Sequence, residues 1–173
     1  MADWATLVAR HSAAVEEFLR AAHEVGPVRW LQPSAPGKWS PAEITSHLTE
    51  SYRTFRTELA GGPGMGIRLG PLRRWVLRRT VLPRILSTGI FPNGARAPRE
   101  TRPREVQPEP RIALHALSTE ADAMVQELSD RMRSDRVRLT HAYFGRMSAQ
   151  QGLTLAIVHT RHHARQIAAV TQA

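Results

Sequence analysis

Apolar positions along this chain recur three and four residues apart, the period of helices that bury one face. From Asp3 to Val25 the residues Leu7, Val8, Val15, Phe18 and Leu19 keep that spacing, and Gly26-Pro27 supplies a stop. RWLQPSAPGKW, broken by Pro and Gly, predicts a connection carrying two tryptophans. Ser40 then opens SPAE, with Ser as N-cap, Pro41 at the first helical position and Glu43 placed to close a capping box. This second helix is expected from about Pro41 to Leu59, ending at Gly61-Gly62. PLRRWVLRRTVLPRIL predicts one short helix, whereas FPNGARAPRETRPREVQPEP holds too much proline for anything but an extended loop. Ile112, Leu114, Leu117, Met124, Val125 and Leu128 mark a further helix from about Pro110 to Met132. After a short link containing THAYFG, Ser148 begins SAQQ, a second capping-box-like start, and the last helix runs to the C-terminus. No alternating pattern predicts a sheet.

Four main helices, two short connections and one long crossover between the second and third predict an all-α four-helix bundle. The crossover permits neighbouring helices to run parallel as well as antiparallel. A length of 173 residues fits one domain, 1–173, with an arginine-rich helical and extended insert at about 64–108. Cysteine is absent, which excludes disulfides, a thiolate nucleophile and sulfur-ligated zinc or iron. Any metal must therefore be held by His, Asp or Glu. No run of about 18 apolar residues occurs, and the N-terminal stretch lacks the basic start and apolar block of a signal peptide. A cytoplasmic protein without a membrane span is the expectation.

The net charge of +9 has one origin. Between Arg68 and Arg104 stand ten arginines and a single acid, Glu100, while the 14 basic and 14 acidic residues elsewhere cancel.

Five of the nine residues in 159-HTRHHARQI-167 are histidine or arginine. At about 100° per residue, Gly152, Leu155, Ala156, His163, Gln166 and Val170 fall within roughly 60° of His159. Arg161 and Arg165 fall outside that sector, and His162 sits at its margin. His159 and His163 thus lie one turn apart on the buried side, able to converge on one ion. Buried imidazoles need partners, so the alternative is a hydrogen-bonded core pair. His47 is the best third candidate, although it flanks the apolar face of Ile44, Leu48, Tyr52, Phe55 and Leu59 and reads by spacing as a boundary residue. His11 and His23 are expected to be solvated, and His115 stays ambiguous. His141 is a loop histidine that could reach the end of the bundle. Trp4, Trp30, Trp39 and Trp75 are expected to serve packing.

PGKWSPAEITSHLTESYRTF, followed far downstream by THAYFG and HTRHHARQI, resembles the DinB/YfiT-like family of metal-dependent enzymes, and GARAPRETRP is similar to one branch of it. The resemblance covers most of the chain. It implies a four-helix bundle with crossover topology and one divalent metal held by His47, His159 and His163, with His162 adjacent or in support. Relatives include thiol-dependent S-transferases and isomerases, which implies a metal that activates a low-molecular-weight thiol, or water, against an electrophilic small-molecule substrate. Three imidazoles leave a coordination position open, as catalytic sites do, and suit Zn, Ni, Fe or Mn without choosing among them. Glu50, three residues after His47, could orient that imidazole or lie on the surface, and Glu58 has the same two readings.

The arginine segment could be a solvated surface, a cover that draws anions to the metal, or a surface for membrane or nucleic acid. Nothing in it matches a defined nucleic-acid motif, so nucleic acid is not the expected partner. The alternative function is a non-enzymatic bundle binding metal or an anionic partner. Bundles of this type pair through helix faces, which makes a homodimer compatible with the sequence.

Overall fold

Short polar residues start the helices by taking up backbone N–H groups that would otherwise lack partners. The computed structural model describes residues 3–92, 96–131 and 137–171. Helix α1 (Trp4–His23) begins at Asp3, whose carboxylate accepts from the Thr6 N–H at 2.7 Å. A single turn, α2 (Pro27–Trp30), leads to α3 (Pro41–Leu59). The expected capping box is formed there: Glu43 N–H donates to Ser40 Oγ at 3.2 Å, and Ser40 N–H to Glu43 Oε2 at 2.7 Å. Next come α4 (Pro71–Thr88), a 3-10 turn at Arg99–Thr101, and α5 (Pro110–Arg131). A hairpin of β1 (Arg138–His141) and β2 (Gly145–Ser148) precedes α6 (Ala149–Thr171). Ser148 and Gln151 start α6 by reciprocal bonds of 3.1 and 3.2 Å. Residues 93–95 of the expected loop and Met132, the expected end of the third main helix, lie outside the described residues.

The fold is an all-α bundle of α1, α3, α5 and α6, with the most extensive packing between α1 and α6 and between α3 and α5. Helices α3 and α5 run parallel, because Arg53 meets Glu120 while Arg56, one turn on, meets both Glu120 and Glu127. Trp4 at the start of α1 donates to Ser129 near the end of α5, so those two run antiparallel. The segment 64–108 provides the crossover that the parallel pair requires. Fully buried Phe18, Leu48, Leu117, Met124, Leu128, Ile157 and Ile167 fill the centre, each contributing roughly 1.5–3 kcal/mol of burial. No helix among the described residues is long and apolar enough to cross a membrane.

Two elements differ from expectation. The link around THAYFG is an antiparallel hairpin in which Leu139 pairs with Met147 and both are fully buried. Its strands are four residues long, too short to show alternation, and Gly145 at φ 70° supplies the left-handed residue that closes a three-residue loop. Helix α4 is 18 residues long, continuing through Pro83 to a left-handed Gly89, so it is not short.

Candidate metal centre

His47 lies in the second turn of α3, and His159 and His163 lie one turn apart on α6. Packing brings all three Nε2 atoms together: His159 Nε2 is 3.0 Å from that of His47 and 3.1 Å from that of His163. The rings meet steeply, at 71° to 88°, with centroids 4.7 to 5.0 Å apart. His47 and His163 are buried and His159 is half-buried.

The far side of each ring decides what the near side can do. His47 Nδ1 is 2.5 Å from the carbonyl oxygen of Thr101, a group that only accepts, so the Nδ1 carries the proton. His163 Nδ1 is 2.7 Å from Gln166 Oε1, which fixes the same tautomer, while the Gln166 amide nitrogen donates to His162 Nε2 at 3.1 Å. Burial pushes the His47 imidazole down to about 4 and holds His159 and His163 well below the usual value near 6.5. All three rings are therefore neutral at pH 7. Two bare Nε2 lone pairs face His159, which can bring at most one proton to the same spot. A cation satisfies all three at once. Imidazole nitrogens about 2.0–2.1 Å from one ion, at angles of 90–110°, stand about 2.9–3.4 Å apart, so the observed spacing fits such an ion.

A family model described as the DinB superfamily matches residues 10–167. The chain belongs to the DinB superfamily. No curated protein and no solved structure matches it. In this DinB bundle the histidine cluster can hold a metal ion, and its donors are all imidazole nitrogens.

The other candidates separate clearly. His162, half-buried, touches the cluster through Gln166 and through ring contact with His163. Glu50 does not orient His47: it pairs with Arg53 at 2.9 Å, and the Thr101 carbonyl takes that place. Glu58 is structural, accepting from Thr140 N–H and Oγ1 at 2.7 and 2.5 Å and so tying α3 to the hairpin. His23 and His115 are exposed. His141 stacks on Phe144 with centroids 4.7 Å apart and is not one of the converging nitrogens.

His11 is not solvated. It is 1% exposed and bonds through Nε2 to Tyr52 Oη at 2.9 Å, which in turn lies 2.8 Å from Thr160 Oγ1. Its place on the Leu7, His11, Ala14, Phe18 stripe was the signal for burial.

Four residues at the site carry little or no sequence signal. Trp39, from the connection before α3, lies against the His47 ring at 4.9 Å. Phe91 lies against His159 and His162 at 5.6 and 5.1 Å. Thr101 acts through its backbone, which no side-chain pattern reveals, whereas Gln166 shares the buried sector of α6. Phe91 also lines a groove of about 390 Å³ with Arg84, Ile85, Ile90 and Pro92. The larger groove, about 710 Å³ between α1 and α5, is not lined by His47, His159 or His163.

Proposed function

We propose that this DinB bundle is a metal-dependent enzyme with His47, His159 and His163 as the ligands of one divalent ion. The observation that carries this reading is the pair of oxygen acceptors, Thr101 O and Gln166 Oε1, that lock two Nε2 lone pairs onto His159 Nε2. When bound, a divalent ion there supplies Lewis acidity and lowers the pKa of a thiol or water that reaches its open position. The chain's own residues do the rest. Burial keeps the imidazoles neutral, and the two acceptors hold their protons on Nδ1. Trp39 lies against His47 and Phe91 against His159, giving the cluster apolar neighbours. The groove beyond Phe91 gives an electrophilic small molecule apolar surface, with Arg84 at its margin. The reaction class is thiol S-transfer or hydrolysis.

Metal content per chain, measured on untagged protein for wild type and His159→Ala, tests the site. About one equivalent in wild type, lost in the variant with helical content kept, is the expected result. No metal in either after incubation with Zn, Ni or Mn refutes the ligand set. Turnover of a thiol and an electrophile that continues undiminished in His159→Ala refutes the reading that this centre carries the activity.

A further inference from the structure

Helix α4 is held to the bundle by few groups. Among its 18 residues only Leu82 and Ile85 are buried. Two arginines fasten it to the hairpin: Arg78 donates to the Arg146 carbonyl, and Arg74 lies over Gly145. In the N-terminal half Leu77 packs against the core, whereas three other apolar residues turn outward. Leu72 is 74% exposed, Trp75 57% and Val76 41%, and their spacing of three and four puts them on one face. Arg79, the next residue of that face, sits over the Trp75 ring at 5.6 Å. Arg73 and Arg84 are exposed, and no carboxylate among the described residues forms an ion pair with any arginine of α4. The helix itself contains no acid.

We propose that α4 is a docking helix for an anionic membrane surface, with Leu72, Trp75 and Val76 entering the headgroup boundary and Arg73 and Arg79 meeting lipid phosphates. Charge selects the partner. A second copy of this chain would bring the same arginines face to face. A nucleic acid would take the arginines and leave Leu72 and Val76 in water, whereas the bilayer interface takes both kinds of residue. The helix is too polar to span, so it lies in the interface plane.

Sedimentation of the full protein with vesicles tests this, comparing pure phosphatidylcholine with a mixture containing anionic phosphatidylglycerol. Binding to the mixture at physiological salt is expected, together with a blue shift of tryptophan emission that Trp75→Phe largely removes. Leu72→Ser/Val76→Ser is expected to weaken binding at least tenfold, as is Arg73→Gln/Arg79→Gln. These positions are exposed, so circular dichroism should be unchanged. No binding to anionic vesicles overturns the proposal. So does binding that ignores the Leu72/Val76 change, which would make the attraction purely electrostatic. Tighter binding of duplex DNA or RNA by the same arginines at that salt also overturns it, as does a dimer in solution that Leu72→Ser/Val76→Ser dissolves.

Discussion

Replacing Gln166 by Leu separates the support of the histidine cluster from the cluster itself. Gln166 is exposed, contributes nothing to the core, and touches the site through a 2.7 Å bond to His163 Nδ1 and a 3.1 Å bond to His162. Without the amide oxygen, the His163 proton is free to move to Nε2, where it competes with a cation. The ring also loses the contact that fixes its rotation. Partners of this kind are worth 10- to 100-fold in metal affinity, or about 1.4–2.7 kcal/mol. Gln166→Glu keeps an acceptor and adds charge, so it is expected to hold affinity at or above the wild-type level. Competition against a chromophoric chelator, with Zn or Ni, reads these changes directly. Thermal unfolding of the metal-free Gln166→Leu protein should show a loss of no more than about 1–3 kcal/mol, the cost of leaving the buried His163 Nδ1 without its acceptor. Equal affinity in wild type and Gln166→Leu would refute the argument that an Nδ1 acceptor sets the tautomer of His163.

Three further outcomes concern stability. Burial depresses the folded-state pKa of His11 to about 4, below an unfolded value near 6.5, so its contribution is complete above pH 6.5 and is lost as pH falls toward 4. That difference is worth about 3 kcal/mol, and urea unfolding of metal-free protein should show His11→Gln losing less stability than wild type across this window. Tyr52→Phe deletes the hydroxyl between His11 and Thr160 and should cost about 1–3 kcal/mol in the same assay, without lowering metal content. Gly145→Ala forces a side chain into a left-handed position at φ 70°, against Arg74, and should destabilise by about 1–2 kcal/mol in thermal melts.

The sequence was most legible where a local rule decides the outcome. Ser40 with Glu43 and Ser148 with Gln151 place two helix starts to the residue, because a cap needs only its own next turn. The i,i+4 histidines of α6 were legible for the same reason. His47 was understated, since periodicity counts only the face that packs on other bundle helices. In the structure the crossover covers a second face of α3: Ser46 donates to the Glu105 carbonyl and His47 to that of Thr101, leaving His47 3% exposed. A histidine that looks like a boundary residue in a bare bundle is therefore central once the insert folds back.

The same insert carries two separable jobs, and their separation follows from where its contacts go. The 3-10 turn at 99–101 is committed to α3 through a carbonyl, and Glu100 in it holds Arg68 at 3.2 Å, the one ion pair seen in the basic stretch among the described residues. Helix α4 is committed through Leu82 and Ile85, with Leu77, Val81 and Leu86 packed beside them, through two arginines on the hairpin and through Arg165 at its C-cap carbonyl, while Leu72, Trp75 and Val76 turn outward. A segment needed only to bridge parallel helices would gain nothing from exposing Leu72 and Trp75, and exposed apolar clusters are selected against on free surfaces. The arginine surplus that looks uniform along the sequence is thus divided in space. One end braces His47, and the other presents a basic amphipathic face outside the bundle.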